Sequence, residues 1–270
     1  SYPDMTLLAE GVPVIVNAGI EQNFKITAAQ LEAAITPQTR VFFINSPSNP
    51  SGVAYTKDDL AALGAVLLKH PQIIIISDDI YEHTYWAPFP FANILNACPE
   101  LYNRTVIVNG VSKAYAMTGW RIGYAAGPTT LIKAMLKIQS QSTTNPCSIS
   151  QKAAVAALNG DQSFIVDMNK AFKQRHDYFV SELRKIPGVA CLNADGAFYV
   201  LFQVEDWIKR LNLPQVTNDH EFAAYILDTV GLALVPGSAF GAPGFLRASI
   251  AASMLELQQA IQRLNKVASV

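Results

Sequence analysis

Cysteine is scarce in this chain, with Cys98, Cys147 and Cys191 the only three in 270 residues. They are far apart and odd in number, and no Cys-x-x-Cys or Cys/His cluster accompanies them. This excludes a disulfide-stapled scaffold and a zinc ribbon, and it reads as a reduced, cytoplasmic protein. Neither sign of charge is in excess: 20 Lys+Arg stand against 21 Asp+Glu, a formal net charge of −1. There is then no basic field for nucleic acid and no acidic tail. Long apolar runs are missing too. The most apolar, Ile73 to Ile76, is far too short to cross a bilayer. No basic segment followed by an apolar stretch opens the chain, so no signal peptide is expected. The reading is a protein whose partners are neither nucleic acid nor membrane.

What is present is apolar mass. Half of the residues are hydrophobic and 15% are charged, enough in a chain this long for a large core and two domains. The opening Ser1-Tyr2-Pro3-Asp4-Met5 reads as the middle of a fold, and the expectation is that an N-terminal part is missing.

Strands and helices alternate to about residue 127. Val41–Asn45 is a buried-strand run that ends in the turn Ser48-Asn49-Pro50-Ser51-Gly52. Thr56 is placed to cap a helix whose Leu60, Leu63, Leu67 and Leu68 share a face. Ile73 to Ile76, ending at Asp78, and Thr105 to Val108, ending near Lys113, are further strands, and Arg121 to Ala126 adds another. Continuous β-branched runs separated by helices predict a mainly parallel sheet. Helices are predicted from Thr129 to Ile186, with Ser148 and Asp161 as N-caps and Ile165, Met168, Phe172, Phe179, Leu183 and Ile186 as core. Beyond Pro187, short strands at Val189–Leu192, Ala197–Val204, Leu232–Val235 and Leu246–Ala251 mix with helices near Glu221–Asp228 and Met254–Val267. The fold class is therefore α/β, with a large domain over 1–165 and a smaller α+β domain over 166–270.

Asn49, Asp78 and Lys113 each follow the carboxyl end of a predicted strand, the edge where open α/β sheets bind ligands. A carboxylate there needs a cationic or donor partner, which a protonated ring nitrogen would supply. Tyr81 offers a phenol nearby, and Arg121 a guanidinium suited to phosphate. Lys113 sits among Gly110, Ser112 and Ala114, with Arg121 eight positions on, which suits an amine nucleophile beside an anion clamp. Taken singly, each has a plainer reading: Lys113 as a solvated lysine, Asn49 as a turn residue, Asp78 as a helix cap and Arg247 as a surface ion pair. Asp79, Glu82 and His83 read as scaffold or surface, His176 as the surface of a helix, and Trp86 and Trp120 as packing.

Gly110, Ser112, Lys113, Arg121 and Gly123 match the lysine-attachment signature of the class I/II aminotransferases, and the chain resembles that family over essentially its whole length. The stretches 45–52, 77–82, Pro236-Gly237-Ser238 and Leu246-Arg247-Ala248-Ser249 extend the likeness, which is nearest to bacterial aspartate and aromatic aminotransferases. The resemblance implies the fold type I architecture of enzymes dependent on pyridoxal 5′-phosphate (PLP). It implies a homodimer and transfer of an amino group between an amino acid and a 2-oxo acid such as 2-oxoglutarate. By the same resemblance, Lys113 would carry the cofactor covalently and shuttle the α-proton, and Asp78 would keep the ring nitrogen protonated. Asn49 and Tyr81 would bond the ring oxygen, Ser112 and Arg121 the phosphate, and Arg247 the substrate α-carboxylate, with Asn49 also touching substrate.

The chain departs from the pattern in three places. Gly110 stands where many relatives carry a serine hydroxyl for the phosphate, and 140–146 holds no arginine for a side-chain carboxylate. The aromatic ring that stacks on the cofactor would precede Ser1. Two other readings share the scaffold: a β-elimination on a cysteine conjugate, and an effector-sensing domain of a regulator. The regulator would need a basic helix-turn-helix segment, which the sequence lacks.

Overall fold

The computed structural model describes residues 1–269 and divides the chain into two compact units. The first holds residues 1–46, 55–83 and 88–162; the second holds 47–54, 84–87 and everything from Ser163 onward.

The first unit is built on a four-stranded sheet in the order β1-β2-β3-β4, comprising Val41–Asn45, Ile74–Asp78, Thr105–Gly110 and Gly123–Ala126. β1, β2 and β3 run parallel, and β4 returns antiparallel along β3. Helices α1 (Tyr2–Leu8) and α2 (Ala28–Ala34) precede the sheet, α3 (Lys57–Leu68) joins β1 to β2, and α4 (Ile94–Ala97) lies between β2 and β3. Thr56 caps α3 as expected: its hydroxyl accepts from the Asp59 amide while the Asp59 carboxylate accepts from the Thr56 amide. Leu60, Leu63 and Leu67 pack with Ile44, Ile73, Ile75, Ile94 and Leu101 on one side of the sheet. Strand alternation turns Ile75 and Ser77 to that buried side and leaves Ile76 and Asp78 on the half-buried one. Two helices follow, α5 (Thr129–Gln141) and α6 (Ser148–Asn159). α5 buries none of its side chains and exposes Met135, Leu136 and Ile138.

In the second unit α7 (Phe164–Leu183) is the first helix, and the unit carries an antiparallel sheet in the order β5-β6-β8-β7. Its strands are β5 (Ala190–Cys191), β6 (Tyr199–Gln203), β7 (Val235–Pro236) and β8 (Phe245–Ser249), with α8 (Glu205–Leu211), α9 (Asp219–Val230) and α10 (Met254–Ala268) around them. One apolar core gathers Phe179, Leu183 and Ile186 with Phe202, Trp207, Phe222, Leu246, Ile261 and Leu264. Ile165, Met168 and Phe172, also expected in the core, are half-buried.

Two predicted caps are corrected. Ser148 is the first helical residue of α6, whose N-cap is Cys147. α7 begins at Phe164 behind Ser163, so Asp161 lies outside it. Neither helix has a side-chain cap bond at its N-terminus, so a polar residue nearby does not mark the boundary.

Candidate active site

β1, β2 and β3 end on one edge of their sheet, and Asp78 is the last residue of β2. Its backbone carbonyl accepts a bond from Asn45 Nδ2 at 2.9 Å. Its carboxylate is held on both oxygens: Oδ1 accepts from the Ile80 amide at 3.1 Å, and Oδ2 from the Tyr2 hydroxyl at 2.6 Å. Tyr2 was not singled out in the sequence. Its ring stacks on Phe43 of β1, with centroids 5.3 Å apart and planes at 25°. Burial, followed by the neighbouring Asp78 charge, pushes the Tyr2 phenol well above its ordinary range, so the hydroxyl remains a donor. The contact spans 76 residues, and no local pattern announces it.

β3 ends at Gly110, and the chain turns through residues 111–115. This turn carries Ser112 and Lys113, both half-buried. The Lys113 ammonium nitrogen lies 5.8 Å from the ring centroid of Tyr81, and that ring is buried, only 3% exposed. Lys113 and Tyr81, three residues beyond Asp78, are thus brought together. Gly110 has a steric reason: a Cβ there would stand 2.9 Å from the Ile122 carbonyl oxygen and 3.2 Å from Ile80 Cδ1. A serine at 110 would need the backbone to give way. Arg121 is exposed, adopts a left-handed backbone with φ of 55°, and donates from Nη1 to the Thr118 carbonyl at 3.0 Å.

Asp79 is buried rather than superficial. Ser77 Oγ donates to its Oδ1 at 2.7 Å and Asn93 Nδ2 to its Oδ2 at 2.8 Å. Burial outweighs both donors and pushes its carboxyl up to about 6. Glu82 accepts from Asn109 Nδ2 at 2.5 Å. Trp120, expected as packing, is instead exposed.

In the second unit, Arg247 lies on β8 between Leu246 and Ala248, which point into the core. Its partners in register are Leu201 of β6 and Val235 of β7. The guanidinium carbon is 4.3 Å from the Tyr199 ring centroid and 4.5 Å from that of Phe240. Arg247 Nη1 donates to Asn49 Oδ1 at 2.8 Å. Aromatic faces hold a guanidinium without neutralising it, and a guanidinium is a group that can meet a carboxylate bidentately. Tyr199 and Phe240 were not picked out in the sequence, although the strand predicted over 197–204 carries the first. Asn49 itself sits in a tight turn, in which the Gly52 amide donates to the Ser48 carbonyl at 2.7 Å. Gly52 has φ of +70°, and a Cβ there would stand 2.6 Å from Ala194 Cβ, so glycine is required twice over.

His176, read as a helix-surface residue, is in fact buried at 1% exposure. Its Nε2 accepts from the Ala194 amide at 2.9 Å, its Nδ1 lies 3.1 Å from Asp177 Oδ1, and its ring packs against Trp86 at 5.7 Å. It is a structural histidine. Among the described residues no helix is long and apolar enough to cross a membrane.

Residues 1–264 match the family described as aminotransferase class I and II. An aspartate/prephenate aminotransferase of Nitrosomonas europaea is 54% identical over 272 residues, covering 100% of this chain and 68% of that protein. The crystal structure of the aspartate aminotransferase from Rhizobium meliloti superposes with a TM-score of 0.93 at 45% identity, covering 99% of this chain and 68% of that one. The aspartate aminotransferase of Thermus thermophilus, solved with maleate, superposes at 0.89 with 37% identity, covering 99% and 67%.

Proposed function

The chain belongs to the class I and II aminotransferases, and from that membership we propose that it moves an amino group between an L-amino acid and a 2-oxo acid, with PLP held covalently at Lys113. The observation that carries the assignment is the edge of the parallel sheet. A carboxylate fixed on both oxygens ends β2, and the next parallel strand delivers a lysine amine 5.8 Å from the centre of a buried phenol ring.

These groups fit the cofactor chemically. An anion, a primary amine, a phenol and a hydroxyl match a ring nitrogen, an aldehyde, a ring oxygen and a phosphate, and Arg121 adds a cation for the last. When bound, PLP supplies an electron sink for the bond that breaks at the substrate α-carbon. The chain's own residues do the rest. Lys113 takes the α-proton and returns it. Asp78, as an anion, holds a proton on the ring nitrogen. Tyr81 and Asn49 serve the ring oxygen, and Ser112 and Arg121 the phosphate. Arg247, clamped by Tyr199 and Phe240, orients the substrate by its α-carboxylate, with Asn49 at its side.

The substrate class is dicarboxylic or aromatic amino acids, aspartate above all, with 2-oxoglutarate as acceptor. Its support is the naming of relatives as aspartate/prephenate enzymes and the maleate, a dicarboxylate, in the Thermus structure. The exposed apolar side chains of α5 favour a homodimer, and we place the enzyme in the cytoplasm. Borohydride reduction of the PLP-loaded protein followed by peptide mapping tests the attachment. The expected result is a phosphopyridoxyl group on Lys113, and that group on any other lysine refutes the reading. Release of pyruvate from a cysteine conjugate without any 2-oxo acid would point to β-elimination instead.

A further inference from the structure

We propose that Tyr2 is a positioning residue for Asp78: its hydroxyl fixes the direction of the carboxylate that meets the cofactor ring nitrogen. This rests on the role proposed for Asp78 above. Three observations carry it. First, the hydroxyl donates to Asp78 Oδ2 at 2.6 Å, the short distance of a bond to a charged acceptor. Second, the Tyr2 ring is itself held, stacked on Phe43. Phe43 pairs in register with Ile76, and Ile76 and Asp78 alternate onto the same half-buried face of β2. The sheet thus sets the distance from the stacking platform to the carboxylate. Third, Oδ1 is already taken by the Ile80 amide at 3.1 Å, so the two donors together leave the carboxylate no freedom to rotate about its final torsion.

Each carboxylate oxygen offers two lone pairs, so accepting from Tyr2 and from the Ile80 amide does not prevent Asp78 from accepting from a ring N–H as well. Burial keeps the phenol protonated, so the donor is present throughout the working pH range. Without it, one oxygen of a half-buried carboxylate loses its protein donor and the group can turn. Small errors in the direction of a charged partner weaken the interaction it makes.

The test uses Tyr2→Phe, which keeps the ring on Phe43 and removes one oxygen, with Asp78→Asn in parallel. Apoprotein is titrated with PLP, and the ring nitrogen is read by 15N NMR with labelled PLP. Thermal melts check that both variants are folded. Tyr2→Phe is expected to weaken PLP binding roughly tenfold, the scale of one hydrogen bond to a charged group. It should also move the ring-nitrogen resonance part of the way from the wild-type to the Asp78→Asn position. In turnover it should lower kcat with little change in KM for the amino donor, because Arg247 and not Asp78 holds the substrate carboxylate. If Tyr2→Phe matches wild type in both affinity and resonance while Asp78→Asn shifts them, the positioning role is wrong and the Asp78 reading stands. If Asp78→Asn leaves the ring nitrogen unchanged, the Asp78 reading falls and this inference with it.

Discussion

Arg247 donates a 2.8 Å hydrogen bond to the side-chain oxygen of Asn49, 198 residues earlier in the chain. With the Tyr199 and Phe240 rings 4.3 and 4.5 Å from its central carbon, the guanidinium is held by three protein groups. That preorganisation depends on a flat, delocalised cation. A lysine ammonium can neither stack flat on an aromatic ring nor form a forked bond.

Arg247→Lys should therefore reduce kcat/KM for amino acids by roughly 100-fold or more, the scale of a lost paired charge contact. Amines without a carboxylate should be almost unaffected. Steady-state kinetics on an amino acid and its decarboxylated amine measure the difference, and an equal loss on both would contradict the assignment.

Asp78→Asn keeps the shape of the side chain and removes its charge. Turnover should fall by roughly 100- to 1000-fold, as when one preorganised electrostatic partner is removed from an active site. The variant should still take up PLP through Lys113. Near-normal turnover would remove the need for an anion at the ring nitrogen.

The parallel strands were legible because the runs at 41–45, 73–78 and 105–108 are continuous apolar stretches bounded by turns, and such stretches belong in a sheet covered on both faces. Lys113 stands out as a candidate because small residues and an arginine accompany it at fixed spacing. Tyr2 was not, because its bond to Asp78 is tertiary and crosses two elements. His176 is the instructive error. It falls on one helical stripe with Phe172, Phe179 and Leu183, and the last two are buried. The helical period places it in the core, where the Ala194 amide donates to its Nε2 and so makes a polar side chain tolerable. The α8 segment 205–211 carries no clear sequence signal, because two turns of helix give too few periods to register.

The buried Asp79 gives a pH signature of its own. Its carboxyl is raised to about 6 by burial, so the folded protein binds a proton that the unfolded chain releases down to about pH 4. Above the folded value this buried charge lowers stability, and the penalty is relieved as pH falls through 6 towards 4. Asp79→Asn can keep both bonds, with its oxygen towards Asn93 and its amide towards Ser77. The stability of Asp79→Asn relative to wild type should rise between pH 4 and 6 and then level off, gaining on the order of 2–3 kcal/mol. Urea midpoints across that range decide it, and a flat difference would mean that Asp79 titrates normally.

His176 should show the opposite sign. Burial lowers its pKa, and the geometry requires the neutral ring, because Nε2 accepts from the Ala194 amide at 2.9 Å. Protonating Nε2 would turn an N–H against an N–H. The unfolded chain takes up a proton near pH 6.5 and the folded one does not, so this group's contribution is present above about pH 6.5 and is lost as pH falls below it. His176→Phe keeps a ring against Trp86 and removes the acceptor, leaving the Ala194 amide buried and unpaired. It should cost about 1–3 kcal/mol at pH 8, and the cost should shrink on acidification, since the wild type loses its own contribution there. Because Asp79 acts in the overlapping range with the other sign, each variant must be read against wild type at every pH rather than from a single melting curve. A loss for His176→Phe that stays constant from pH 8 to pH 5 would show that the imidazole takes up its proton alike in the folded and unfolded chain.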